Sequence, residues 1–285
     1  MKQLFQLTWI HIIANYTQKR TLFALILQWL YMYSILIPVI TFAEEFNLGI
    51  TFFLYPFLHT DPIFIIVITL SFLLLLSTIP MNNEMQSYLI HRTSTVKWIT
   101  SQIIYIIIST IVYILNVMIS FIVVSFSYIN FQSNEWGKLV GSLNYYPDIT
   151  NQYEITINIP SSLIVSYTPL QLFLMTLIMM VLIFFFSGLI LMLFNLIKPG
   201  LGLVLYSIII FLYLAIRHFN KFYGFYISVF SWISLSNLST SPLDGYPTMG
   251  FAITCLVAGI LIMIAAIYYI AYNDKLRRKL ILWNN

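Results

Sequence analysis

Long uncharged runs alternate with short polar stretches along this chain. Six of the runs reach or approach the roughly 20 apolar residues that cross a bilayer as a helix. They cover about 21–43, 62–81, 99–126, 170–197, 201–216 and 249–272. The first follows Lys19 and Arg20. The second begins at Asp61-Pro62 and ends near Pro80, helix-end positions that proline tolerates. Between the fourth and fifth, "KPGLG" (Lys198 to Gly202) predicts a tight turn, because Pro199 disfavours a continuing helix and Gly200 and Gly202 permit reversal.

The pattern between the runs predicts four further features. In the first twenty residues Phe5, Trp9, Ile12, Ile13 and Tyr16 recur at helical spacing, with Gln3, Gln6, His11, Asn15 and Gln18 on other faces, so residues 1–20 are expected to form a helix lying on the membrane surface. The polar segment "MNNEMQSYLIHRTSTVKWITSQ", Met81 to Gln102, predicts a short helix with Met85, Tyr88 and Leu89 on one side and Glu84, Gln86, His91 and Arg92 free to meet a polar partner, followed by Thr93, Ser94 and Thr95 as capping candidates. The loop 127–168 alternates Tyr, Ile and Thr with turn formers and predicts a short hairpin. In 217–248, "FYGFYISVFSWIS" is too short to span and is expected as a re-entrant or interfacial hairpin before the last span.

Composition fixes the class. The chain is 60% hydrophobic and 8% charged, where a soluble domain is about one-quarter charged. An all-α polytopic membrane protein follows, with residues 1–285 as one transmembrane domain and no cleaved signal sequence. Six spans put both termini on one side with ten basic and two acidic residues, leaving three basic and seven acidic residues opposite, a net +8 against −4. The positive side is expected to be cytoplasmic.

The chemistry of the runs excludes more than it offers. No Asp, Glu, His or Arg falls within the span cores, so charge-coupled carriers and pumps are disfavoured. His11, His59, His91 and His218 lie outside the runs and read as solvated or interfacial, and no metal or nucleophile motif joins them. Cys255, inside the last run, reads as a small buried hydrophobe. "GKLVGS" at Gly137 lacks the spacing of a phosphate-binding loop. The chain is therefore expected to hold no cofactor, to bind no nucleic acid and to catalyse no reaction. Active transport through it would need a separate motor docked on the 82–97 loop. Tyr31, Tyr33, Asn116, Ser120 and Ser187, polar positions within apolar runs, are candidate pathway residues.

This layout resembles the type-2 ATP-binding cassette export permeases over the whole chain: an amphipathic N-terminal helix, six spans, an inner coupling loop after span two and an apolar outer hairpin before span six. "NEMQSYLIHRTSTVKWITSQIIY", Asn83 to Tyr105, is the most motif-like part. The resemblance implies a dimer, identical or paired with a sister permease, on two cytoplasmic ATPase subunits that carry ATP and Mg. Glu84, Gln86, Tyr88, His91 and Arg92 would be the ATPase-docking residues. It also implies a multi-pass protein of a bacterial cytoplasmic membrane, with both termini cytoplasmic, moving an amphipathic or hydrophobic cargo such as a peptide, a lipid-linked molecule or a drug. The unusually long 127–168 loop departs from the family pattern. A carrier not driven by ATP and a peptide-immunity or scaffold protein are the alternatives.

Overall fold

A computed structural model describes residues 2–80, 94–130, 135–219, 222–240 and 245–272. Five of its helices are long and apolar enough to cross a membrane: α2 (Lys19–Glu45), α5 (Thr95–Ser125), α9 (Pro169–Ile197), α10 (Leu201–Phe219) and α11 (Met249–Tyr272). The chain is thus an all-α polytopic membrane protein. α9 is the central helix and packs against α5, α10, α11 and a further helix, α4 (Pro62–Leu76), while α2 packs on α4 and α5.

The second predicted span differs from expectation. α4 has 15 residues, about 22 Å at 1.5 Å per residue, less than the roughly 30 Å hydrocarbon core. A 3-10 turn (Phe52–Leu54) and α3 (Tyr55–Leu58) precede it, bent from it by 87°. Asp61 makes the break. Its Oδ1 accepts from the amides of Ile63 and Phe64 at 2.7 and 3.2 Å, capping α4 ahead of Pro62, and its Oδ2 accepts from Tyr31 and Thr156 hydroxyls at 3.3 and 2.5 Å. Residues 52–58 are short and almost wholly apolar, so no amphipathic period in the sequence marks them as helical.

His59 and Asp61 are consequently inside the bundle, 0% and 1% exposed. The solvated reading of His59 is corrected: it lies between the rings of Tyr55 and Phe64, with centroids 5.2 and 5.3 Å away. Cys255 is also corrected, since it is exposed on the outer surface of α11. Its neighbours Ala252 and Leu256 are buried, so Cys255 lies off the face of α11 that meets the core.

The hairpin expected in 127–168 is replaced by three short helices, α6 (Gly137–Tyr145), α7 (Pro147–Gln152) and α8 (Ser161–Ser166). Ile155, Ile157 and Ile159 are buried in alternation with exposed Glu154, Thr156 and Asn158. The period of two was read correctly, yet the segment lies over the α3–α4 break and not against a second strand: Asn158 N donates to Thr60 Oγ1 at 2.9 Å. Among the described residues the one ladder is two residues long and parallel, β1 (Ile50–Thr51) with β2 (Ile129–Asn130). The stretch before the last span forms 3-10 turns at Phe222–Tyr226, Val229–Ile233 and Leu235–Asn237. It packs on α9 and α10 through buried Phe230, Trp232 and Ile233.

Candidate functional site

α1 (Lys2–Tyr16) is a helix separate from α2, broken at Thr17 and Gln18, but its faces are the reverse of a simple surface helix. Phe5, Trp9, Ile10 and Ile13 point outward, whereas Thr8, His11 and Asn15 are buried against α5. The polar stripe faces inward because α5 offers polar partners there. Thr8 Oγ1 reaches Ser101 O at 3.5 Å, the Gln102 amide donates to His11 Nε2 at 2.9 Å, and Asn15 Nδ2 donates to the Tyr105 hydroxyl. Lys97 Nζ adds a contact to Gln3 Oε1 at 3.1 Å. Reading His11 as solvated is therefore also corrected: burial pulls its pKa down from 6.5 to about 4.

A histidine held neutral by burial binds fewer protons folded than unfolded, so its contribution is intact above 6.5 and is lost as pH falls toward 4. Melting of the purified protein should show this loss across that window. His11→Gln, which cannot titrate, should lack that pH-dependent component.

Asn15 also begins a hub that joins four helices at the basic end of the bundle. Its Nδ2 donates to Leu75 O at 2.7 Å. Arg20 donates from Nη2 to Asn15 Oδ1 at 2.6 Å and to Thr78 Oγ1, and from Nη1 to Ser77 Oγ at 2.8 Å. All three acceptors are neutral oxygens. The guanidinium stands beside the C-terminal end of α4, whose carbonyl dipoles favour a cation. Just past the end of α4, Asn195 of α9 donates from Nδ2 to Ile79 O at 2.6 Å and accepts from Gly202 N at 2.9 Å, which ties the α9–α10 turn to the same end.

The residues expected to dock a motor, Glu84, Gln86, Tyr88, His91 and Arg92, lie outside the described residues. What is described is both of their attachments. The described chain leaves the hub at Pro80, two residues after Thr78, and returns at Ser94 into the part of α5 on which α1 is packed. Neither Asn15, Arg20 nor Asn195 was singled out from the sequence. The available signal was an amide or a guanidinium at the edge of an apolar run, where it must find partners within the protein.

The candidate pathway residues separate. Tyr33 and Asn116 line an open groove of about 490 Å³ between α2 and α5. Ser120 lies beneath it, accepting from Gln28 Nε2 at 2.7 Å, and Gln28 Oε1 accepts from Asn116 Nδ2 at 2.8 Å. Tyr31 turns instead to Asp61 at the acidic end, and Ser187 is buried in α9, donating to its own helix at Ile183 O, 2.7 Å. The five do not share one surface. Gln28, fully buried within a span and the centre of the Asn116–Ser120 pair, was missed.

No family model, curated protein or solved structure matches the chain.

Proposed function

We propose that this chain is the membrane-spanning permease subunit of an ATP-binding cassette exporter in a bacterial cytoplasmic membrane. It has six spans, with the bent α3–α4 pair as the second and both termini cytoplasmic, as the charge bias favours. It works as a dimer with an identical or sister permease. Two ATPase subunits dock on the 82–97 loop and supply ATP and Mg, and the chain itself performs no hydrolysis. The cargo is amphipathic or hydrophobic and crosses at the interface between the two permeases.

One observation supports this reading: both ends of segment 81–93 are attached to α1, the α4 end through the Asn15–Arg20 hub and the α5 end through the Lys97–Gln3 and Thr8–Ser101 contacts. A push on that segment would act at once on the end of α4 through Ser77 and Thr78 and on the start of α5 beneath α1. Arg20 and Asn195 would pass it to α2 and to the α9–α10 turn. Rigid helices joined at one end convert such a displacement into a tilt of the bundle. Outside the His59–Asp61 break the apolar runs carry no charge at depth, which fits a machine driven from outside the membrane.

The break at His59 and Asp61 supports a second reading, a carrier coupled to protons or ions, because ionisable groups at a broken helix are a common device of such proteins. Affinity purification separates the two. Tagged wild type in mild detergent should bring down an ATPase, and Glu84→Ala/Arg92→Ala should lose it or its coupled hydrolysis. Failure to recover an ATPase even after crosslinking, together with transport that collapses with the proton gradient, would establish the carrier in its place.

A further inference from the structure

The groove between α2 and α5 is lined by Leu22, Leu25, Ile26, Trp29, Leu30 and Tyr33 of α2, closed on the other side by Asn116 and Val124. We propose that it seats one anionic phospholipid, drawn from the leaflet that meets the N-terminal end of α2, with an acyl chain along the groove and the phosphate at Lys19.

Three features select this occupant. The first is length. From Leu22 to Tyr33 the α2 stripe rises about 16 Å, close to half of the roughly 30 Å hydrocarbon core and so to one leaflet's chain depth. The second is the state of the polar groups in the wall. Asn116 Oδ1 accepts from Trp29 Nε1 at 3.2 Å while its Nδ2 is given to Gln28. These groups are turned on one another, which leaves a wall of aliphatic and aromatic carbon, with the Tyr33 hydroxyl at its far end, for an alkyl chain to cover. An extended peptide entering here would bring backbone amides for which the wall offers no partners before Tyr33, and the oligomeric state of Ile26→Trp distinguishes a second apolar span.

The third is charge. Lys19 is exposed one helical turn before Leu22 and on the same stripe, whereas Arg20 is committed to the hub on the opposite side of α2. The first turn of α2 adds its dipole, for Gln18 makes no capping bond there and donates instead to Ala14 O at 3.0 Å. An anionic head at Lys19 is thereby placed at the mouth of an apolar trough of matching depth. A zwitterionic lipid would gain less from the same position, since its choline would meet the ammonium and the dipole.

The site needs no ATPase and can be tested on the chain alone. The full-length protein is reconstituted with phosphatidylglycerol and phosphatidylcholine in equal amounts, re-extracted in mild detergent, and its retained lipid quantified by native mass spectrometry. Wild type should retain phosphatidylglycerol several-fold over phosphatidylcholine, at one molecule per chain. Lys19→Gln should abolish the preference, and Ile26→Trp, which fills the trough, should abolish retention. A measurement on wild type guards against misfolding of the variants: phosphatidylglycerol brominated on its acyl chains should quench a tryptophan component that is absent from Trp29→Phe, and brominated phosphatidylcholine should quench it less. Equal retention of both lipids, or retention that neither variant alters, would mean ordinary annular lipid and overturn the proposal. So would a change from dimer to monomer in Ile26→Trp with lipid unchanged, which would make the groove the seat of a second copy.

Discussion

Arg20→Ala should lower the stability of the detergent-purified protein by about 2–4 kcal/mol, because hydrogen bonds to a charged group contribute about 1.5–3 kcal/mol and their loss strands buried partners. The guanidinium reaches acceptors on α1 and just beyond α4 at once, through Asn15, Ser77 and Thr78. Arg20→Lys should recover only a minor part, since an ammonium is a point charge without the planar fork that spans three acceptors. Lys19→Ala, one residue away and exposed, should stay within about 0.5 kcal/mol. Hydrogen exchange should rise throughout α1 in Arg20→Ala. Equal melting temperatures for Arg20→Ala and Lys19→Ala would show that the hub does not hold the basic end together. If the hub also relays motion from segment 81–93, Arg20→Lys should still bind an ATPase yet hydrolyse ATP without transport.

Gly188→Leu should be the most damaging substitution in the central helix. A Cβ at Gly188 would stand 2.5 Å from Ile106 Cγ2 and 3.1 Å from Leu76 Cδ1, so α9 meets α4 and α5 only because this side chain is absent. Overpacking of this kind costs about 1–3 kcal/mol even when neighbours shift, and leucine adds three carbons beyond the clashing atom. Ile106→Ala in the same chain should restore part of the loss, because the obstructing methyl belongs to a side chain and not to backbone. Gly141→Leu, where nothing lies within 4 Å, is the control. Similar yields and melting points for the two glycine variants would contradict the close approach of α9 to α5.

The sequence by itself determined the class and most of the spans. Uncharged runs long enough to cross a bilayer can satisfy their backbone only as helices, so α2, α5, α9, α10 and α11 follow from length and hydropathy with no knowledge of contacts. Asp61-Pro62 marked a helix start for the same reason, as local hydrogen bonding decides it. The tertiary structure decided which polar residues are buried and with whom. Asn15, Gln28 and Asn195 look alike in the sequence, as amide side chains beside apolar residues. Their burial depends on partners such as Tyr105, Ser120 and Ile79 supplied from distant parts of the chain. The reversed faces of α1 have that origin. In water apolar side chains turn inward, but against lipid the inner face is where polar groups can be satisfied, and no periodicity within α1 alone distinguishes the two.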